Sequence, residues 1–112
     1  MTVFGIVSET ISDQTKHIIG QSHDPKFIYS YTGSIINNGT SDVSFRLFIQ
    51  SMAMGQSETS ITIPAGVKVR FKNLKFNAYQ SLTDNPNLYL LAVQYLKPMK
   101  ETTDEEPEIF YE

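Results

Sequence analysis

Apolar and polar residues alternate along most of this chain with the period of two that sends successive side chains to opposite faces of a strand. The clearest run is 43–50, where Val43, Phe45, Leu47 and Ile49 alternate with Ser44, Arg46, Phe48 and Gln50. Val67, Val69 and Phe71 alternate with Lys68, Arg70 and Lys72, and Leu74 and Phe76 continue that strand after a shift at Asn73. Phe27, Tyr29 and Tyr31 lie on one side of a further strand, and residues 59–63 alternate again. In 88–96, Tyr89, Leu91, Val93 and Tyr95 form one face and Leu88, Leu90, Ala92 and Leu96 the other, which predicts burial on both sides. Residues 2–8 are rich in Val, Ile and Phe, and residues 16–19 form a short extended piece.

Turn chemistry separates these runs. Pro25 biases Asp24 away from helix, Gly33 marks a bulge, and Asn38-Gly39 tolerates positive φ at both positions. The segments flanking Asn38-Gly39 are therefore predicted to pair as a hairpin. Pro64-Ala65-Gly66 and the stretch 81–87 are further turns, and 51–57, with Met52 and Met54, reads as a loop. Only 9–19 admits a short turn of helix, capped by Ser8 or Ser12. Seven or eight short strands with turns every 8–12 residues predict an antiparallel β-sandwich or a jelly-roll-like barrel.

Length and charge refine this. With 112 residues the chain holds one domain, and 13 aromatics (seven Phe, six Tyr) are enough to seed its core. No Cys is present, which excludes a disulfide framework, thiolate metal sites and a cysteine nucleophile. Residues 1–100 carry nine basic and six acidic side chains, a net of +3, whereas 101–112 carry six acidic and no basic ones, a net of −6. The sequence thus divides into a weakly basic body, 1–100, and an acidic C-terminal tail, 101–112. The apolar patch at Val3–Val7 lacks a basic flank and is too short for a signal-peptide core. The run 88–96 falls well short of the roughly 20 residues that span a bilayer. A soluble protein made in the cytoplasm is expected, and Asn38-Gly39-Thr40 is read as a turn rather than as a glycosylation acceptor.

Catalytic and metal-binding patterns are lacking. The two histidines, His17 and His23, have no acid-rich cluster beside them; His23 next to Asp24 is half of an acid–base pair at most, and otherwise a solvated loop histidine. There is no nucleophile elbow, phosphate loop or His-Glu-x-x-His. Half of the carboxylates sit in the tail, where a catalytic acid could not be held rigidly. No enzyme activity, metal or cofactor is expected. Lys68, Arg70 and Lys72 project from one face of one strand, so their potentials add. They read either as a dock for an acidic partner or as charges guarding an edge strand. Three or four cations bind nucleic acid weakly at physiological salt, and no aromatics interleave with them, so no nucleic-acid partner is expected.

The tail is the sharper feature. Residues 101–106 offer nothing to bury, yet Ile109, Phe110 and Tyr111 follow almost at the terminus. Such a triplet free in water is an exposed sticky patch. It is predicted to dock on a surface of its own body, a neighbouring subunit or another protein, as an extended segment added to a sheet edge. The Lys68–Lys72 stripe is a complement for the acidic spacer. Ile109, Phe110, Tyr111, Lys68, Arg70 and Lys72 are the predicted partner-binding residues.

The order of motifs within residues 27–98 carries a resemblance. An Asn-Gly turn in Ile35-Ile36-Asn37-Asn38-Gly39-Thr40-Ser41-Asp42-Val43 is followed by Thr-Ser-Ile-Thr-Ile-Pro-Ala-Gly-Val-Lys-Val-Arg-Phe at 59–71 and by the apolar strand 89–96. This resembles the small β-sandwich accessory proteins of tailed-phage virions, among them head-decoration and tail or baseplate proteins. The resemblance implies a non-enzymatic structural protein, often homo-oligomeric, residing in the virion and binding copies of itself or other virion proteins. It carries over no functional residue. Carbohydrate-binding sandwiches share the same turn grammar. The alternative is therefore a carbohydrate- or receptor-binding module, with Tyr79, Tyr29 or Tyr31 as its aromatic platform in the absence of Trp.

Overall fold

The computed structural model describes residues 2–19, 27–51, 55–98 and 107–112. Among them are nine strands and no helix: β1 (Thr2–Ile11), β2 (His17–Ile18), β3 (Phe27–Asn37), β4 (Val43–Ser51), β5 (Gly55–Ile63), β6 (Lys68–Leu74), β7 (Ala78–Ser81), β8 (Leu88–Pro98) and β9 (Glu108–Tyr111). Two sheets face each other as a sandwich. One has five strands in the order β1-β8-β3-β6-β9, the other four in the order β2-β7-β4-β5, and every pairing is antiparallel.

The alternation read from the sequence lines the core. Tyr31, Ile35, Val69, Phe71, Leu88, Leu90 and Ala92 point inward from the five-stranded sheet, and Val43, Phe45, Leu47, Ile63 and Tyr79 face them from the other layer. Phe76 leaves the strand pattern. It lies between β6 and β7, where the chain changes sheets, and enters the core stacked on Tyr31 at 4.5 Å and edge-on to Phe71 at 6.0 Å. Gln94 is the polar break in the last apolar run. It is buried, and its Nε2 donates to the Tyr31 hydroxyl at 2.6 Å, tying β8 to β3 inside the sheet. Burial pushes the Tyr31 phenol up to about 12.

Three expectations are corrected. The segments around Asn38-Gly39 do not form a hairpin, because β3 pairs with β6 and β8 while β4 pairs with β5 and β7. The loop is an arch that carries the chain from one sheet to the other. Buried Asn37 holds it: its Nδ2 donates to the Ser41 and Ile63 carbonyls at 2.9 and 3.0 Å, and its Oδ1 accepts from the Gly39 N–H at 2.9 Å. Residues 9–11 belong to β1 rather than to a helical turn, since Ile11 is buried in the core opposite Leu88. The strand 88–98 is buried on one face only. Leu88, Leu90 and Ala92 are inside, whereas Tyr89 and Leu91 lie partly exposed on the outer face with Ile6.

Two irregularities set the shape of the sheet. Asn73, at φ 56°, and Lys72 stand opposite Thr32 alone, because Tyr31 pairs with Leu74 but Gly33 with Phe71. The shift read at Asn73 is this bulge. Gly33 lies so close to β8 that a Cβ there would collide with the Leu91 carbonyl oxygen and the Ala92 backbone, which is why only glycine fits.

Candidate docking edge on the five-stranded sheet

The inward side chains of β6, Val69 and Phe71, are buried, so Lys68, Arg70 and Lys72 must point outward. Without a further strand, β6 would end the sheet with a row of open N–H and C=O groups. β9 lies against this edge. Lys72 stands opposite Glu108, Phe71 opposite Ile109, Arg70 opposite Phe110 and Val69 opposite Tyr111. One step further, the Lys68 N–H donates to the Glu112 carbonyl at 3.1 Å and the Glu112 N–H donates to the Lys68 carbonyl at 2.8 Å.

This register gives the two strands complementary outer faces. Glu108, Phe110 and Glu112 of the terminus share a face with Lys72, Arg70 and Lys68 of β6. The Arg70 guanidinium reaches the Glu112 carboxylate at 3.1 Å. Both side chains are about half exposed, so such a pair contributes roughly 0–1 kcal/mol and acts more on register than on strength. A slip by one residue would turn both glutamates onto the inner face.

The apolar part of the anchor is modest. Ile109 is half-buried and packs on the core, whereas Phe110 and Tyr111 each stay 54% exposed. An outer groove of about 500 Å³ runs along this edge, lined by Thr32, Ser34, Lys68, Arg70, Lys72 and Phe110.

The structure brings together all six residues singled out from the sequence, within two paired strands. The acidic spacer 101–106 lies outside the described residues; the described acids that face the cations are Glu108 and Glu112. Sequence reading missed those two as register markers, although Glu108-x-Phe110-x-Glu112 repeats the period of Lys68-x-Arg70-x-Lys72. It also missed the outer apolar residues Ile6, Tyr89 and Leu91.

The remaining candidates fall elsewhere. The pair His23 and Asp24 lies outside the described residues. His17 stacks on Tyr79 at 5.2 Å, and its Nε2 stands 3.8 Å from the Asp13 carboxylate. The Thr15 N–H holds Asp13 below the usual carboxylate range, a turn interaction on an exposed loop. Among the described residues no three His, Asp or Glu side chains converge as a metal site, and no helix is long and apolar enough to cross a membrane. Tyr31 and Tyr79 are fully buried, and Tyr29 packs half-buried on the core. Tyr31 and Tyr79 therefore cannot present a platform to a glycan. No family model, curated protein or solved structure matches the chain.

Proposed function

We propose that the protein is a non-enzymatic assembly component that binds other protein subunits through its sheet surface and its C-terminal strand. The virion-accessory reading of its turn and strand order is kept as the specific form of this proposal, with synthesis in a host cytoplasm and residence in the virion. One observation carries it: residues 108–112 attach to the body by adding a strand to the β6 edge, leaving Phe110 and Tyr111 more than half exposed. Strand addition needs no pocket and no chemistry beyond main-chain pairing, and repeated copies make weak contacts cumulative.

Light scattering on the full chain and on a chain ending at Lys100 tests this. The full chain is expected to assemble with rising concentration. The shortened chain is expected to keep its β-sheet circular dichroism and to assemble more weakly. Equal assembly of the two would overturn the proposal.

A carbohydrate- or receptor-binding role is the second reading, favoured by a separate concavity. A groove of about 280 Å³ at one end of the sandwich is lined by small polar side chains, among them Thr40, Ser41, Thr83, Asn85 and Asn87. A glycan array without hits would dismiss it.

A further inference from the structure

We infer that the C-terminal strand is exchanged between copies, the β6 edge of one chain accepting residues 108–112 of a second copy in the register found within one chain. This rests on the assembly proposal above and names its partner.

Chain reach permits the exchange. Pro98 stands opposite Phe27, and Glu108 opposite Lys72, across three strand spacings from β8 to β9. Those spacings and about five residue rises along the strands, from Phe27 to Thr32 beside Lys72, amount to roughly 22 Å. Ten Cα steps from 98 to 108 span at most about 35 Å. The chain's own β6 edge therefore takes up most of that reach, and an edge at equal distance on an abutting copy serves as well.

The chemistry of the site does not distinguish the two sources. Among the described residues the terminus is held mainly by β6 and the core beneath it: the two Lys68–Glu112 main-chain bonds, the Arg70–Glu112 ion pair, Lys72 opposite Glu108, and Ile109 on the core. A second copy offers the same set. Closed and exchanged forms then differ mainly in loop closure and concentration, which is the situation in which identical elements swap.

The segment is also a poor permanent anchor and a good connector. Its one seated side chain is the half-buried Ile109, while Phe110 remains on the outer face of the sheet. That face continues through Ser34 to Leu91, Tyr89 and Ile6, exposed apolar positions of β8 and β1. A copy tethered by the exchanged strand is held beside this face at high effective concentration. The acidic 108–112 segment and the cationic edge favour each other, whereas two edges or two termini repel. Pairing between copies is therefore tail to edge.

Because the chain has no Cys, engineered thiols report the exchange directly. Lys68 and Glu112 exchange both main-chain bonds, so Arg70 and Phe110, two steps along, form the next hydrogen-bonded pair. Such pairs have Cα atoms about 5.5 Å apart, within the range a disulfide bridges. Full-length Arg70→Cys and Phe110→Cys chains are prepared separately, mixed and mildly oxidised. A mixed disulfide dimer that clearly exceeds the homodimer of either variant, and grows with concentration, is the expected result. A chain carrying both substitutions provides the control for register. If the double variant closes within itself at every concentration and the mixture yields no mixed dimer, the exchange is overturned. A disulfide homodimer of the Arg70→Cys chain as the main product overturns it as well. Tail-dependent light scattering without the mixed disulfide removes the exchange alone, whereas scattering that ignores the tail removes the assembly proposal.

Discussion

Without β9 the larger sheet would end at β1 on one side and at β6 on the other, and the two margins are treated differently. Among the described residues no strand pairs with the outer edge of β1, and that edge is hard to extend. Its register slips between Val3 and Gly5, and Glu9 shares the inward-facing side of the strand with Val7 and Ile11. A bulge and an inward-pointing charge are devices that discourage another strand from adding. β6 has neither along residues 68–71, and its outward cations attract rather than deter an acidic strand. It is covered by the chain's own terminus. One margin is closed by repulsion and the other by occupancy, and only an occupied margin can be vacated.

The largest expected effect separates the margins by their anchors. Ile11 is buried at 1% exposure, whereas Ile109 is half-buried. Ile11→Ala should cost about 3 kcal/mol of global stability, as a truncation in a packed core does, read as a lower urea midpoint. Ile109→Ala should cost about 1 kcal/mol. That loss should appear as faster amide exchange at 108–112 with the thermal midpoint of the body nearly unchanged. Equal global losses would mean that β9 is as integral to the fold as β1.

Next in size is a pH effect on the strands between the margins. The Tyr31 phenol is held up to about 12, from 10, chiefly by burial between β8 and β6. The folded state favours the protonated phenol, so this contribution is complete below pH 10. It is lost as pH rises from 10 through 12, to a total approaching ~3 kcal/mol. Urea midpoints at pH 9, 10, 11 and 12 should fall over that window. Tyr31→Phe should flatten the fall, and an unchanged slope would show that Tyr31 does not govern it.

The smallest effect on stability is expected at the β1 guard. Glu9→Val should change the urea midpoint by no more than about 0.5 kcal/mol. It should nevertheless raise the apparent mass in light scattering even in a chain ending at Lys100. Scattering unaffected by Glu9→Val would remove the charge from the account of the β1 margin and leave the bulge alone.

Much of this molecule could be read from residue order, because side-chain alternation is a local property. Val43, Phe45 and Leu47 on one face of their strand, Val69 and Phe71 opposite three cations, the irregularity at Asn73, and the sticky triplet near the terminus all followed from spacing alone. Sheet membership did not. Asn38-Gly39 can reverse a chain into a hairpin or lift it over an arch. The choice fell to distant partners: β8 and β6 occupy both sides of β3 and leave no edge there for β4. β7 was invisible because four residues are too few to display a period. The outer face of β8 was misjudged because its apolar pattern cannot say whether a second layer lies above it. Composition and alternation by themselves determined an all-strand protein and pointed to a terminus that docks, although only Ile109 of its apolar triplet is seated on the core. Tertiary structure decided which edge pairs with it and in what register, because main-chain pairing is blind to side chains until the fold sets the strands side by side.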